Sequence, residues 1–139
     1  MVAVAEDVGA KNLASYRRRL ERLREPSLTV VLRLVRDSVR SAVNQAWVEL
    51  VFASRTHPAL RKALKPIGVR YSRNIVALGR LALPELAASL GDRFPVLVAT
   101  ILAMFDGELV HRLVVKNPEL EEARVEMMAA LMQNFARRS

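Results

Sequence analysis

The chain contains no cysteine, which excludes a disulfide scaffold and any metal site held by thiolates. Glycine and proline are scarce, at 5 and 6 of 139 residues. Together with abundant Ala, Leu, Val and Arg, that scarcity favours an all-helical fold. No run of about 18 uncharged apolar residues occurs, so no membrane span is expected. The opening "MVAVAEDVGA" lacks the basic region and long apolar stretch of a signal peptide, and a cytoplasmic location is expected. Aromatic residues make up only 5 % of the chain. Acids are missing altogether between Glu49 and Glu85, a span that holds Arg55, Arg61, Lys62, Lys65, Arg70, Arg73 and Arg80.

What is present is apolar and basic. Hydrophobic residues account for 52 %, against disorder, and the net charge is +8. One domain spanning 1–139 fits the length. The acid-free stretch reads either as a nucleic-acid or anionic-membrane surface or as a solvated helix face in an arginine-rich chain. Between Arg55 and Arg80, Tyr71 is the only Phe, Tyr or Trp, so stacking on bases is not suggested.

Helical periodicity dominates, and the pattern predicts a single bundle of about five to six helices. Leu13, Tyr16, Leu20 and Leu23 recur at helical spacing from Val8 to Arg24, and "EPS" (25–27) ends that segment, with Ser27 as the next cap. A second helical stretch runs from Leu28 to Ser54, with a break expected near Arg40. Pro58 suits a first helical position, and Leu60, Leu64, Ile67, Tyr71, Ile75 and Leu78 then share one face, with Pro66 and Gly68 expected to kink or split the helix. "GDRFP" (91–95) is a further joint. Asn117, Pro118 and the glutamates after them mark the clearest helix start in the chain.

The pattern offers no catalytic residue, no metal site and no cofactor motif. His57 and His111 lack spaced carboxylate partners, and no phosphate loop or nucleophile elbow occurs. Asp106 and Glu108 fall on different sides of their helix, so they are not a paired-carboxylate site.

The last two helices carry more apolar surface than one core needs. Between Phe94 and Val115, one stripe holds Val98, Ile101, Leu102, Phe105, Leu109 and Leu113. A second is small: Val96, Ala99, Ala103, Gly107, Val110 and Val114, with His111 at its edge. The final helix has Leu120, Met127, Met128, Leu131 and Phe135 on one side and Val125, Ala129, Met132 and Ala136 on another. Helices apolar on most sides are buried by the rest of the chain or by a second copy. The expectation is a homodimer in which two helices from each chain form an intermolecular four-helix bundle. Its interface is assigned to Ala99, Ala103, Gly107, Val110, His111, Val114, Val125, Ala129, Met132 and Ala136.

"HPALRKALKPIGVRYSRNIVALGRLALP" followed by "FPVLVATILAMFDGELVHRLVVKNPELEEARVEMMAALMQNFARR" resembles the C-terminal regulatory domain of TetR-type transcriptional repressors. There an X-Pro-x-Leu start opens a long pocket helix, an "FDG"-like element lies in the first dimerisation helix, and a second X-Pro-x-Leu start opens the last. Ala10 to Leu34 match the helices that normally follow the DNA-binding unit, so the likeness covers nearly the whole chain. It implies pocket helices over 10–92, dimerisation helices over 93–139, and a disordered lead of residues 1–9. Nothing before Lys11 could form the family's helix-turn-helix, so no direct DNA contact is expected from these residues.

The resemblance further implies a small-molecule effector, hydrophobic or amphipathic, held between residues 28–82 and the first dimer helix. On helical-wheel angles Asn44, Trp47, Tyr71, Asn74 and Met104 are candidates to line that cavity, with Arg70 placed to pair with a ligand carboxylate. Two other roles stay open. One is a stand-alone module that forms heterodimers with a regulator; the other is a basic helical nucleic-acid-binding protein.

Overall fold

Local chemistry at the joints sets where each helix begins. The computed structural model describes residues 2–23 and 27–138, so Met1, the Arg24–Pro26 part of the first joint and Ser139 lie outside the described residues. Among the described residues seven α-helices follow in order: α1 (Val2–Glu21), α2 (Leu28–Val39), α3 (Ala42–Ala53), α4 (Pro58–Ala82), α5 (Pro84–Leu90), α6 (Phe94–Arg112) and α7 (Pro118–Arg137). No strand occurs among the described residues. The Ser27 hydroxyl accepts from the Val30 N–H, and the Asn117 side chain accepts from the Leu120 N–H at 3.1 Å. Each satisfies an N–H that the helix itself leaves unpaired. Pro58, Pro84, Pro95 and Pro118 all occupy opening positions of helices, where a missing N–H costs nothing.

The stretch 28–54 is two helices with the break near Arg40, as expected, because Ser41 caps α3, its hydroxyl accepting from the Asn44 N–H. Helix boundaries depart from the periodicity in three places. α4 runs unbroken through Pro66. Pro66 and Lys62, whose carbonyl loses its helical donor there, face solvent, while Leu64 and Ile67 on the other side are buried. Residues 2–9 are not a disordered lead but the first turns of α1. Ala5 is completely buried in a cluster with Leu60, Leu64 and Ile67, and that burial fixes the segment. At the other end α6 stops at Arg112, so Val114 lies beyond it in the connection to α7.

The bundle has two layers of packing. α1 lies across α2, α3 and α4, while α2 backs onto both α6 and α7. The main core gathers Leu32, Val39, Phe94, Phe105, Val125 and Met132, each nearly or wholly excluded from water. Gly79 lets α6 close on α4, since a Cβ there would sit 3.3 Å from the Phe94 ring. By length and composition Pro84–Arg112 is apolar enough to cross a membrane. It is two helices, however, broken at Gly91 (φ 53°) by a 3-10 turn, Gly91–Arg93.

Burial overturns part of the interface assignment. Val125 is 0 % and Met132 1 % exposed, Ala129 is buried beside them, and Ala136 is partly buried against the same core. These four face α2 and the core, and the outward side of α7 is the other stripe, with Leu120, Met127 and Leu131 exposed. Both stripes are apolar, so hydropathy could not rank them; α2 packs against the one with the smaller residues. Met132→Ala should therefore lower the unfolding free energy by about 2–5 kcal/mol in urea denaturation. A loss of about 0.5 kcal/mol or less, typical of surface positions, would return Met132 to the outside.

Candidate functional site

Four helices bring polar side chains together in an otherwise apolar interior. Asn12 of α1 is 1 % exposed, and its Nδ2 donates to Asn44 Oδ1 of α3 at 3.0 Å and to the Tyr71 hydroxyl of α4 at 3.1 Å. Asn44 Nδ2 donates to the Val39 carbonyl at 2.9 Å and, at 3.5 Å, to Asp106 Oδ1 of α6. A backbone carbonyl can only accept, so that bond fixes which end of the Asn44 amide points at Asn12. Asn12 must then present its Nδ2 to Asn44, which leaves Asn12 Oδ1 as a buried acceptor without a donor. The Tyr16 hydroxyl, one turn along α1, is buried beside Tyr71 without a well-formed hydrogen bond of its own.

Electrostatics in this cluster are one-sided. Burial pushes the Asp106 carboxyl above its ordinary 3.8, and the Asn44 amide only partly offsets that. Burial, with Asp106 nearby, also pushes both phenols well above their ordinary 10.0, so Tyr16 and Tyr71 remain hydrogen-bond donors throughout the working range. Asp106 has no ion-pair partner among the described residues. An acid left alone in a chain of net charge +8 is a cost that folding alone does not explain.

Tyr16 joins the cluster to a cavity. Its ring lines an apolar space of about 60 Å³ with Leu34, Leu78, Val98, Ile101 and Leu102, between α1, α2, α4 and α6. Of the residues expected to line a pocket, the structure unites Asn44 and Tyr71 and sets Trp47 beside them, its ring stacked on Tyr71 at 6.0 Å. None of the six lines the cavity itself. Asn74 and Arg70 are not part of the site. Both are exposed, and Arg70 Nη2 donates to Glu6 Oε1 at 3.1 Å. Both sit at the edge of the buried stripe of α4, where wheel angles place a residue only to within the width of a neighbour. Met104 packs against the main core instead. Sequence reasoning missed Asn12 and treated Tyr16 as plain apolar surface. The signal was an amide four residues before a tyrosine, on the stripe of Ala5, Gly9 and Tyr16.

A second polar system clamps the other end of the bundle. Glu108 is 4 % and Glu121 5 % exposed. Arg40 Nη2 donates to both, at 2.6 Å to Glu108 Oε1 and 2.9 Å to Glu121 Oε2. Arg124 completes Glu108, and Arg112 completes Glu121. On the surface nearby, Arg33 and Arg36 of α2 hold Glu122. Burial alone would raise the Glu121 carboxyl, but Arg112 and Arg40 hold it below its ordinary 4.5. Asp106 and Glu108 thus diverge, as their wheel positions require.

The outward side of α6 carries the small residues. Ala99, Ala103, Gly107 and Val110 are exposed, as are His111 and, past the helix end, Val114. The basic stretch is not a bare stripe: Arg61 donates to the Ser54 and Arg55 carbonyls, Arg80 lies over the Phe94 ring and Arg70 holds Glu6.

No protein-family model matches the chain, and no solved structure does. Uncharacterised HTH-type transcriptional regulators of Mycobacterium bovis and of two strains of Mycobacterium tuberculosis are similar to it. Each is 33 % identical over 134 residues, which is 95 % of this chain and 68 % of the relative. The chain belongs to this family of HTH-type transcriptional regulators.

Buried Glu121 and half-buried Asp106 should respond oppositely to neutralisation. The folded value of Glu121 is depressed, so its stabilisation is full above 4.5 and is lost as pH falls through the folded value. That of Asp106 is raised, so its penalty is full above the folded value and absent below 3.8. At neutral pH, Glu121→Gln should lower the melting temperature and Asp106→Asn should raise it, and both differences should shrink in acid. Equal signs in thermal melts would refute this assignment. Arg40→Met strips one partner each from Glu108 and Glu121 while leaving their second partners, Arg124 and Arg112, in place, and should cost up to about 3 kcal/mol in denaturant unfolding.

Proposed function

We propose that the chain is the effector-binding and dimerisation domain of a TetR-type repressor. It takes a hydrophobic or amphipathic small molecule among its helices and pairs with a second copy through α6 and α7. The observation that carries this reading is the double use of α6. Its inward side supplies Ile101 and Leu102 to the cavity and Asp106 to the polar cluster, while its outward side presents Ala99, Ala103 and Gly107 to solvent. Membership among HTH-type regulators supports a role in transcription control, and the order of the two X-Pro-x-Leu starts around "FDG" resembles the TetR arrangement.

The outward faces favour a second copy as their occupant. On α7 the bare side chains are large, Leu120, Met127 and Leu131; on α6 they are small. A two-fold axis lays the large residues of one protomer on the small ones of its partner and uses each patch twice. Gly107 makes the same point. A Cβ there would meet nothing within 4 Å, so nothing inside the chain requires glycine. Its propensity cost of about 1 kcal/mol is then offset only by a close contact from outside.

The cavity of about 60 Å³ is smaller than the roughly 300–1,000 Å³ of small-molecule sites. An effector must therefore spread α1, α4 and α6, and α6 transmits that movement to the dimer face. The pairing is tested by size-exclusion chromatography with light scattering at micromolar concentration, where a mass near twice 15.6 kDa is expected. Gly107→Leu should shift dissociation to higher concentration than Val98→Ala does. A wild-type chain that elutes as a clean monomer defeats the proposal.

A further inference from the structure

The polar cluster has a chemical bias that narrows the class of effector. Its unmet groups are acceptors: Asn12 Oδ1 lacks a donor, the Tyr16 oxygen accepts no hydrogen bond while its own proton is turned to Tyr71, and Asp106 holds one long hydrogen bond and, among the described residues, no cation. Asn12 and Tyr16 are both more than nine-tenths buried, so bulk water does not meet the shortfall. The side chains that reach it from α1, α3, α4 and α6 are amides, phenols and one carboxylate. None of these is basic, and among the described residues Arg19 is the cation whose charge acts on Tyr16.

We infer that the cluster receives the ammonium head of a lipophilic amine. Asp106 is its counter-ion, Asn12 Oδ1 and the Tyr16 hydroxyl are its hydrogen-bond acceptors, and its apolar tail runs past the Tyr16 ring into the cavity between α1, α2, α4 and α6. This rests on the effector-pocket reading above. An ammonium carries three donors and no acceptor, the complement of what the cluster leaves open. A carboxylate head finds the reverse: it meets Asp106 with like charge and finds no guanidinium, because Arg70 lies outside holding Glu6.

Three probes with one tail and different heads decide the matter: octylamine, octanol and octanoate, titrated at neutral pH against the full chain. Trp47, stacked on Tyr71, reports occupancy through its fluorescence. Octylamine should bind at least about ten-fold more tightly than octanoate, the worth of one well-placed charge pair. Surface attraction works the other way, since a chain of net charge +8 draws octanoate, so an amine preference is not a bulk effect. Asp106→Asn should bring octylamine to within a few-fold of octanol, and Tyr16→Phe should weaken octylamine with octanol less affected. Thermal melts of both variants confirm folding. Equal binding of the three probes, or octanoate binding best, overturns the amine assignment and leaves the pocket reading standing. No response to any probe overturns both.

Discussion

Glu108 and Glu121 are charged groups almost without access to water, and each is held by two guanidinium groups that belong to different parts of the chain. Arg40, at the end of α2, touches both acids; Arg124 reaches back from α7 to Glu108, and Arg112 reaches forward from the end of α6 to Glu121. A buried carboxylate tolerates few arrangements, because losing one partner leaves a charge that the interior cannot solvate. That restriction does what apolar packing cannot. α6 and α7 are apolar on two sides, and the oily residues alone allow either side to face inward. The paired acids allow one rotation of each helix about α2, which turns Val125 and Met132 in and Leu131 out.

The triplet Asp106-Gly107-Glu108 shows how closely spaced those demands are. Successive residues on a helix point about 100° apart, so three neighbours address three surroundings. Asp106 meets Asn44 and the tyrosine cluster, Gly107 faces open space, and Glu108 enters the ion-pair network. Taken as helix interior, the triplet is poor, with two acids and a glycine. Its three positions instead serve a site, an outward surface and a clamp, and a better helix former at any of them would remove one of these.

Most of the framework was legible because it depends on local chemistry. Ser27 and Asn117 cap where their side chains can, prolines open helices, and the α4 stripe from Leu60 to Leu78 is buried as its spacing requires. The site was legible only in part. Asn44 and Tyr71 stood out as polar groups on apolar stripes, whereas Asn74 and Arg70, a fraction of a turn away, proved to be outside. The choice between the two faces of α7 was not legible at all, since it follows from Arg40, an element away, and hydropathy carries no record of that contact. Nor does periodicity reveal that Ala5 seats the first turns of α1, because one alanine gives no stripe.

The polar cluster and the clamp meet at the α2–α3 joint. The Val39 carbonyl accepts from Asn44, which in turn reaches Asp106, and Arg40, the next residue, grips Glu108 and Glu121. Two neighbouring residues thus tie one turn of α6 to the joint from two sides, and one of them also holds the start of α7. A group inserted against Asp106 competes with the weaker tie, the 3.5 Å hydrogen bond from Asn44, while the short charge-assisted bonds of Arg40 hold. The response least costly to the fold is then a pivot of α6 about Glu108, with its N-terminal turns moving away from α4. Those turns carry Val98, Ile101 and Leu102 on the cavity side and Ala99 and Ala103 on the outward side. On the proposed reading, a cavity that opens by this pivot changes the outward surface in the same movement, which would couple a molecule bound at the polar cluster to the pairing of two copies.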